Sequence, residues 1–155
     1  MNSKIPEWMG KLPCEPDKKV PVRVNKEDVG ITEIYGNGKE RICTHTYIST
    51  DNILISHWIV PAGQAFQPPD LHSGDEPYYI LEGEAHIFNP ETGQLVSAKE
   101  RDVVFIPRKS WHQVYNFSDR DVIIIAIIAG KPWDEKDMDL VEKRDFKPVY
   151  FNEKK

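Results

Sequence analysis

From Val20 to Ala129 the chain alternates apolar and polar positions in short β-branched and aromatic runs, broken by turn residues about every ten positions. The pattern predicts strands over Val20–Val24, Ile31–Tyr35, Ile42–Ile48, Ile53–Val60 and Glu76–Leu81. It predicts further strands over Glu84–Phe88, Gln94–Ala98, Asp102–Ile106, His112–Asn116 and Val122–Ala129. The breaks carry turn chemistry. Gly36-Asn37-Gly38 tolerates positive φ, Ser49-Thr50-Asp51-Asn52 is a polar turn, and Pro61-Ala62-Gly63, Glu82-Gly83, Asn89 to Gly93 and Ser118-Asp119-Arg120 complete the set. No helical period persists in this stretch.

An all-β chain must hide its strand edges, and closing the sheet is the common solution. A jelly-roll barrel over residues 20–131 is therefore expected. The competing immunoglobulin-like sandwich finds no Cys…Trp…Cys pattern here. Residues 1–19 carry Pro6, Pro13 and Pro16 and read as an extended arm, anchored by Ile5, Trp8 and Met9. Residues 132–155 read as an acidic, mixed tail packing on the barrel, with room for one short helix. The arm, which would otherwise leave Ile5 and Trp8 exposed, is expected to lie across a neighbour in a homodimer.

Composition narrows the partners. The chain has 155 residues, one domain's length, with 39% hydrophobic and 29% charged positions. A net charge of −5 offers no basic excess for phosphates, so nucleic acid is not an expected partner. No apolar run approaches the roughly 20 residues of a membrane span. Only Cys14 and Cys43 are present, and no secretory h-region is visible near Met1. A reduced, cytoplasmic setting is the simplest expectation.

Two stretches carry chemistry. In the first, His72 lies in a loop and Glu76 at a strand entry; in the second, His112 opens another strand. Alternation places Glu76, Tyr78 and Ile80 on one face, and His112, Val114 and Asn116 on another. If both faces turn inward, two imidazoles and a carboxylate converge, a donor set suited to Fe, Mn, Ni, Co or Zn. The plain structural alternative is a pair of buried histidines satisfied by hydrogen bonds, with Glu76 as a general base or an unligated carboxylate. Tyr78 is the residue expected to present a hydroxyl for orienting a substrate or donating a proton. Phe66, Trp111, Asn116 and His57 are candidates for lining the pocket, core packing being the alternative for the aromatics.

These stretches resemble the paired motifs of the cupin superfamily, in particular its small single-domain microbial members. In the first motif, Gly-x5-His-x-His-x3-4-Glu-x6-Gly, His72, Glu76 and Gly83 match, and Gly63 sits one residue early. In the second, Gly-x5-Pro-x-Gly-x2-His-x3-Asn, Pro107, His112 and Asn116 match. Three positions depart: Asp70 replaces the first histidine, and Arg101 and Lys109 replace the two glycines of the second motif. Asp70 is either a fourth, oxygen ligand or a loop residue facing water. The lost glycines are expected to cost little, since many residues serve in a type I turn.

The resemblance implies a double-stranded β-helix and a divalent metal of unspecified identity. It leaves several activities open. The first is Lewis-acid-assisted isomerisation, elimination or decarboxylation of a small hydroxy or keto acid, sugar derivative or phenolic. The second is Fe(II) dioxygenation, and the third is small-molecule binding without catalysis.

Overall fold

Strands rich in Ile, Val, Tyr and Phe with a two-residue period cannot bury one face alone, so they pair into sheets whose inner faces meet. A computed structural model describes residues 10–13, 19–25, 27, 31–35, 42–66 and 69–130. Among them run β1 (Ile31–Tyr35), β2 (Ile42–Ser49), β3 (Ile53–Val60), β4 (Glu76–Glu82) and β5 (Glu84–Phe88). β6 (Leu95–Lys99), β7 (Val103–Ile106), β8 (Gln113–Tyr115) and β9 (Val122–Ala129) follow. Every pairing is antiparallel, and the described residues contain no α-helix.

One sheet has the order β1-β2-β3-β9-β4-β7 and the other β6-β5-β8. Bridges Ala65↔Tyr115 and Asp70↔His112 lay the segment before β4 antiparallel beside β8. The first metal-motif segment and the second are therefore neighbours in the smaller sheet.

The inner face is built in rows set by register. Thr44, Trp58, Ile124 and Ile80 form one row. Thr46, Ser56, Ala126, Tyr78 and Val104 form the next. Glu76 lies two residues along β4 from Tyr78, opposite Ile106. Away from Glu76 the core is purely apolar, with Ile42, Val60, Ile80, Ala85, Ile87, Ala98, Val122 and Ile124 all buried.

The expected strand over 20–24 does not form. Pro21 removes one ladder donor, and Val20 and Val22 remain 65% and 47% exposed. Of the arm over 1–19, the described part docks on its own barrel: Leu12 bridges Ser49, and the Gly10 N–H donates to Ser49 Oγ at 2.8 Å. The rest of the arm, residues 131–155 and Cys14 lie outside the described residues. No helix of the described residues is long and apolar enough to cross a membrane.

The two departures from motif glycine are a correction. Arg101 has φ 73° and Lys109 φ 62°, both in the left-handed region. The Asp102 N–H donates to Lys99 O, and the Ser110 N–H to Pro107 O, so each residue is third in a four-residue turn. Positive φ at that position alone is the type II pattern, which favours glycine; a type I turn does not describe either site. Left-handed backbone costs an L-residue about 1–2 kcal/mol.

Candidate metal centre

The site is assembled by backbone hydrogen bonds between the two motif segments. Asp70 and His112 exchange both N–H···O bonds, at 2.8 and 3.0 Å. The turn at 107–110 is pinned to the first segment: Lys109 N–H donates to His72 O at 2.7 Å and Arg108 N–H to Asp75 Oδ1 at 2.9 Å. Ala129 N–H donates to Asp75 O at 2.8 Å. Gly74 lies against the end of β9 so closely that a Cβ there would collide with the Ala129 carbonyl. The loop carrying His72 to Glu76 is thus held from two sides.

These contacts bring His72, Glu76 and His112 together, one donor atom from each within 4.8 Å of the others, all three residues buried. Glu76 Oε2 is 3.2 Å from His72 Nε2 and 3.0 Å from His112 Nε2. His112 Nδ1 lies 2.9 Å from Ser110 O. A carbonyl only accepts, so Nδ1 carries a hydrogen, and in the neutral form of the ring Nε2 turns its lone pair toward Glu76. Neither oxygen of Glu76 nor His112 Nε2 makes a hydrogen bond.

A carboxylate facing an imidazole lone pair is repulsive without a cation between them, and leaving it buried is costly. Burial pushes the Glu76 carboxyl up, but in their protonated form the two imidazoles outweigh it and hold the group down at about 2. The donor set therefore suits a borderline divalent ion, held by His72, Glu76 and His112.

Asp70 borders this cluster. Its Oδ2 is 3.7 Å from His72 Nε2, and its Oδ1 accepts from Leu71 N–H at 2.8 Å. Tyr78 is fully buried with its hydroxyl unpaired. Burial first, then the charges of Glu76 and Asp70, raise its pKa well above the usual phenol value, which keeps the hydroxyl protonated. Phe66 lies inside the barrel, stacked on Trp58 at 4.8 Å, and Trp58 tilts against Tyr78 at 5.5 Å. Trp111 is partly exposed beside His112 in the chain.

Two expected lining residues do other work. Asn116 is buried, but its amide donates to Val60 O, Pro61 O and Arg120 O at 2.9, 3.1 and 2.8 Å. Its Oδ1 accepts from the Ser118 N–H and hydroxyl, so Asn116 ties loops together and has nothing left for a substrate. His57 faces outward. Leu54, Ser56, Trp58 and Val60 take the inner face of β3, and His57 stacks outside on His45 at 5.9 Å.

Trp58 and Ser56 were not expected on the inner face beside Tyr78, although the alternation that buries Leu54 and Val60 carries them inward too. Ser110 was also missed. It acts through its carbonyl, which no side-chain pattern reveals.

Comparison with known proteins agrees with this geometry. The family model described as the cupin domain matches residues 56–128. A predicted oxalate decarboxylase from Thermotoga maritima is 24% identical, covering 70% of this chain and 99% of that one, with TM-score 0.59. The polyketide cyclase RemF from Streptomyces resistomycificus is 17% identical over 81% and 95% of the two chains, TM-score 0.57. An RmlC-like cupin with a double-stranded β-helix from Methanocaldococcus jannaschii is 16% identical over 74% and 94%, TM-score 0.55. No curated protein matches the sequence significantly. Two facing sheets, the paired segments 63–83 and 101–116 joined at Asp70 and His112, and the family match identify a cupin domain over residues 56–128 of this chain.

Proposed function

We propose that the chain is a metal-dependent enzyme acting on a small oxygen-rich molecule by isomerisation, elimination or decarboxylation. The observation that carries this reading is the buried, hydrogen-bond-free carboxylate of Glu76 facing the Nε2 lone pair of His112. His72, Glu76 and His112 would hold the ion, with Asp70 beside them as a further carboxylate. Bound there, a divalent metal supplies Lewis acidity to substrate oxygens and acidifies an adjacent C–H.

The chain's own groups do the rest. Asp70 Oδ2 is placed to take a proton, since only Oδ1 is held by the Leu71 amide. Tyr78, kept protonated, is placed to give one to a developing oxyanion. Phe66 and Trp111 would add apolar contact. The names of two similar structures, a predicted oxalate decarboxylase and a polyketide cyclase, fit a site for oxygen-rich substrates.

The test is metal content of protein purified without chelator or affinity-tag nickel. Wild type and the off-site control His45→Ala should carry about one metal per chain, and His112→Ala should lose most of it while staying folded. Full retention in His112→Ala overturns the assignment.

We also infer a homodimer through the outer face of β4 and β7. Val103 and Phe105 there are 62% and 61% exposed, and Tyr79 and Leu81 lie alongside on β4. Sedimentation should give a dimer that Phe105→Glu dissociates; a wild-type monomer at all concentrations rejects the interface.

A further inference from the structure

The interior beside the metal centre has a definite charge and polarity, and these restrict what it can accept. Two carboxylates, Glu76 and Asp70, already face the place where the ion would sit. A divalent cation there is balanced before any substrate arrives. Among the described residues the buried polar groups are hydroxyls, imidazoles, amides and these two acids, with no Lys or Arg. An incoming carboxylate or phosphate would bring negative charge into a buried place with no further cation to meet it.

What the wall offers instead is neutral. The Tyr78 hydroxyl is buried and makes no hydrogen bond. Ser56 Oγ accepts from Trp58 Nε1 at 2.7 Å, which leaves its own hydrogen to donate. Between Ser56 and Tyr78 in their row stands Ala126, which adds only a methyl group to the wall. The Trp58–Phe66 stack and the tilted Tyr78 ring supply an apolar, aromatic flank.

Resting on the metal-centre reading above, and narrowing its reactions to isomerisation and elimination, we infer that the site selects an uncharged, oxygen-chelating molecule with an aromatic or apolar arm, such as a phenylated diketone, over carboxylate or phosphate substrates. Ser56 and Tyr78 donate to its oxygens, and Trp58 and Phe66 face its arm. Asp70 sets the charge discrimination.

The experiment is calorimetric titration of metal-loaded protein with 1-phenylbutane-1,3-dione, with phenylpyruvate, which carries a similar arm on a carboxylate, and with oxalate. The diketone should bind at least about tenfold more tightly than either anion. Asp70→Asn should narrow that gap by strengthening the anions. Ser56→Ala should weaken diketone binding several-fold at unchanged metal content. Equal or tighter binding of phenylpyruvate or oxalate by protein that holds its metal overturns this inference and leaves the metal centre standing. A wild-type protein that holds no metal overturns the metal-centre reading, and this inference with it.

Discussion

The two ends of the barrel interior are built on opposite rules. At the far end Ile42, Val60, Ile80, Ala85, Val122 and Ile124 meet with no polar atom among them. At the other, Glu76 and Tyr78 bury polar atoms that make no hydrogen bond. Each such group costs about 1–3 kcal/mol relative to a satisfied one. The same strands serve both ends: β3 carries Val60 at one and Ser56 at the other, and β4 carries Ile80 and then Glu76. The apolar end therefore provides the stability that the polar end diminishes. Polar groups gathered at one end of an otherwise apolar interior locate the chemistry.

That contrast can be broken by mutation at each end. Ile124→Ala, at the apolar end, should cost about 2–5 kcal/mol in denaturant unfolding, because β9 is flanked on both sides and cannot collapse into the gap. Its counterpart at the polar end, Tyr78→Phe, should be neutral or gain up to about 1 kcal/mol, since it removes a buried unpaired hydroxyl at nearly constant volume. A loss above that size at Tyr78 would mean that the hydroxyl is satisfied and the two ends do not differ. A smaller effect comes from the left-handed turns outside both ends. Lys109→Gly and Arg101→Gly should each raise stability by about 0.5–1 kcal/mol, the relieved backbone strain exceeding the entropy glycine adds to the unfolded chain. Unchanged or lowered melting temperatures in both would show that the surroundings make the positive φ free of cost.

Much of this was legible in the sequence where the information is local. Alternation sufficed for β3 and β9, whose inner faces follow a strict two-residue period. It failed at 20–24, where the pattern is present but no neighbouring strand pairs with it. The spacing of His72, Glu76 and His112 was enough to bring them together, because Glu76 begins one strand and His112 immediately precedes another. Asn116 was misread for a physical reason. Its inward direction follows from Val114, but what it meets depends on the 60–61 and 118–120 loops, more than 50 residues apart in the chain. The turn at Lys109 was misjudged because a lysine's identity says nothing of φ. The requirement comes from the His72 carbonyl that its amide must reach.

The placement of β9 has a consequence for synthesis. It is the last described strand, yet it lies in the middle of the larger sheet, hydrogen-bonded to β3 on one side and β4 on the other. Until Val122–Ala129 has left the ribosome, β1-β2-β3 and β4-β7 are two fragments with open edges and uncovered apolar faces. The pairing of β3 with β9 also spans some 70 residues of chain, which makes closure a slow, non-local step. A nascent chain stalled before Val122 would carry both motif segments and still lack the strand that joins the sheet. It would present the cell with adhesive edges in place of a barrel.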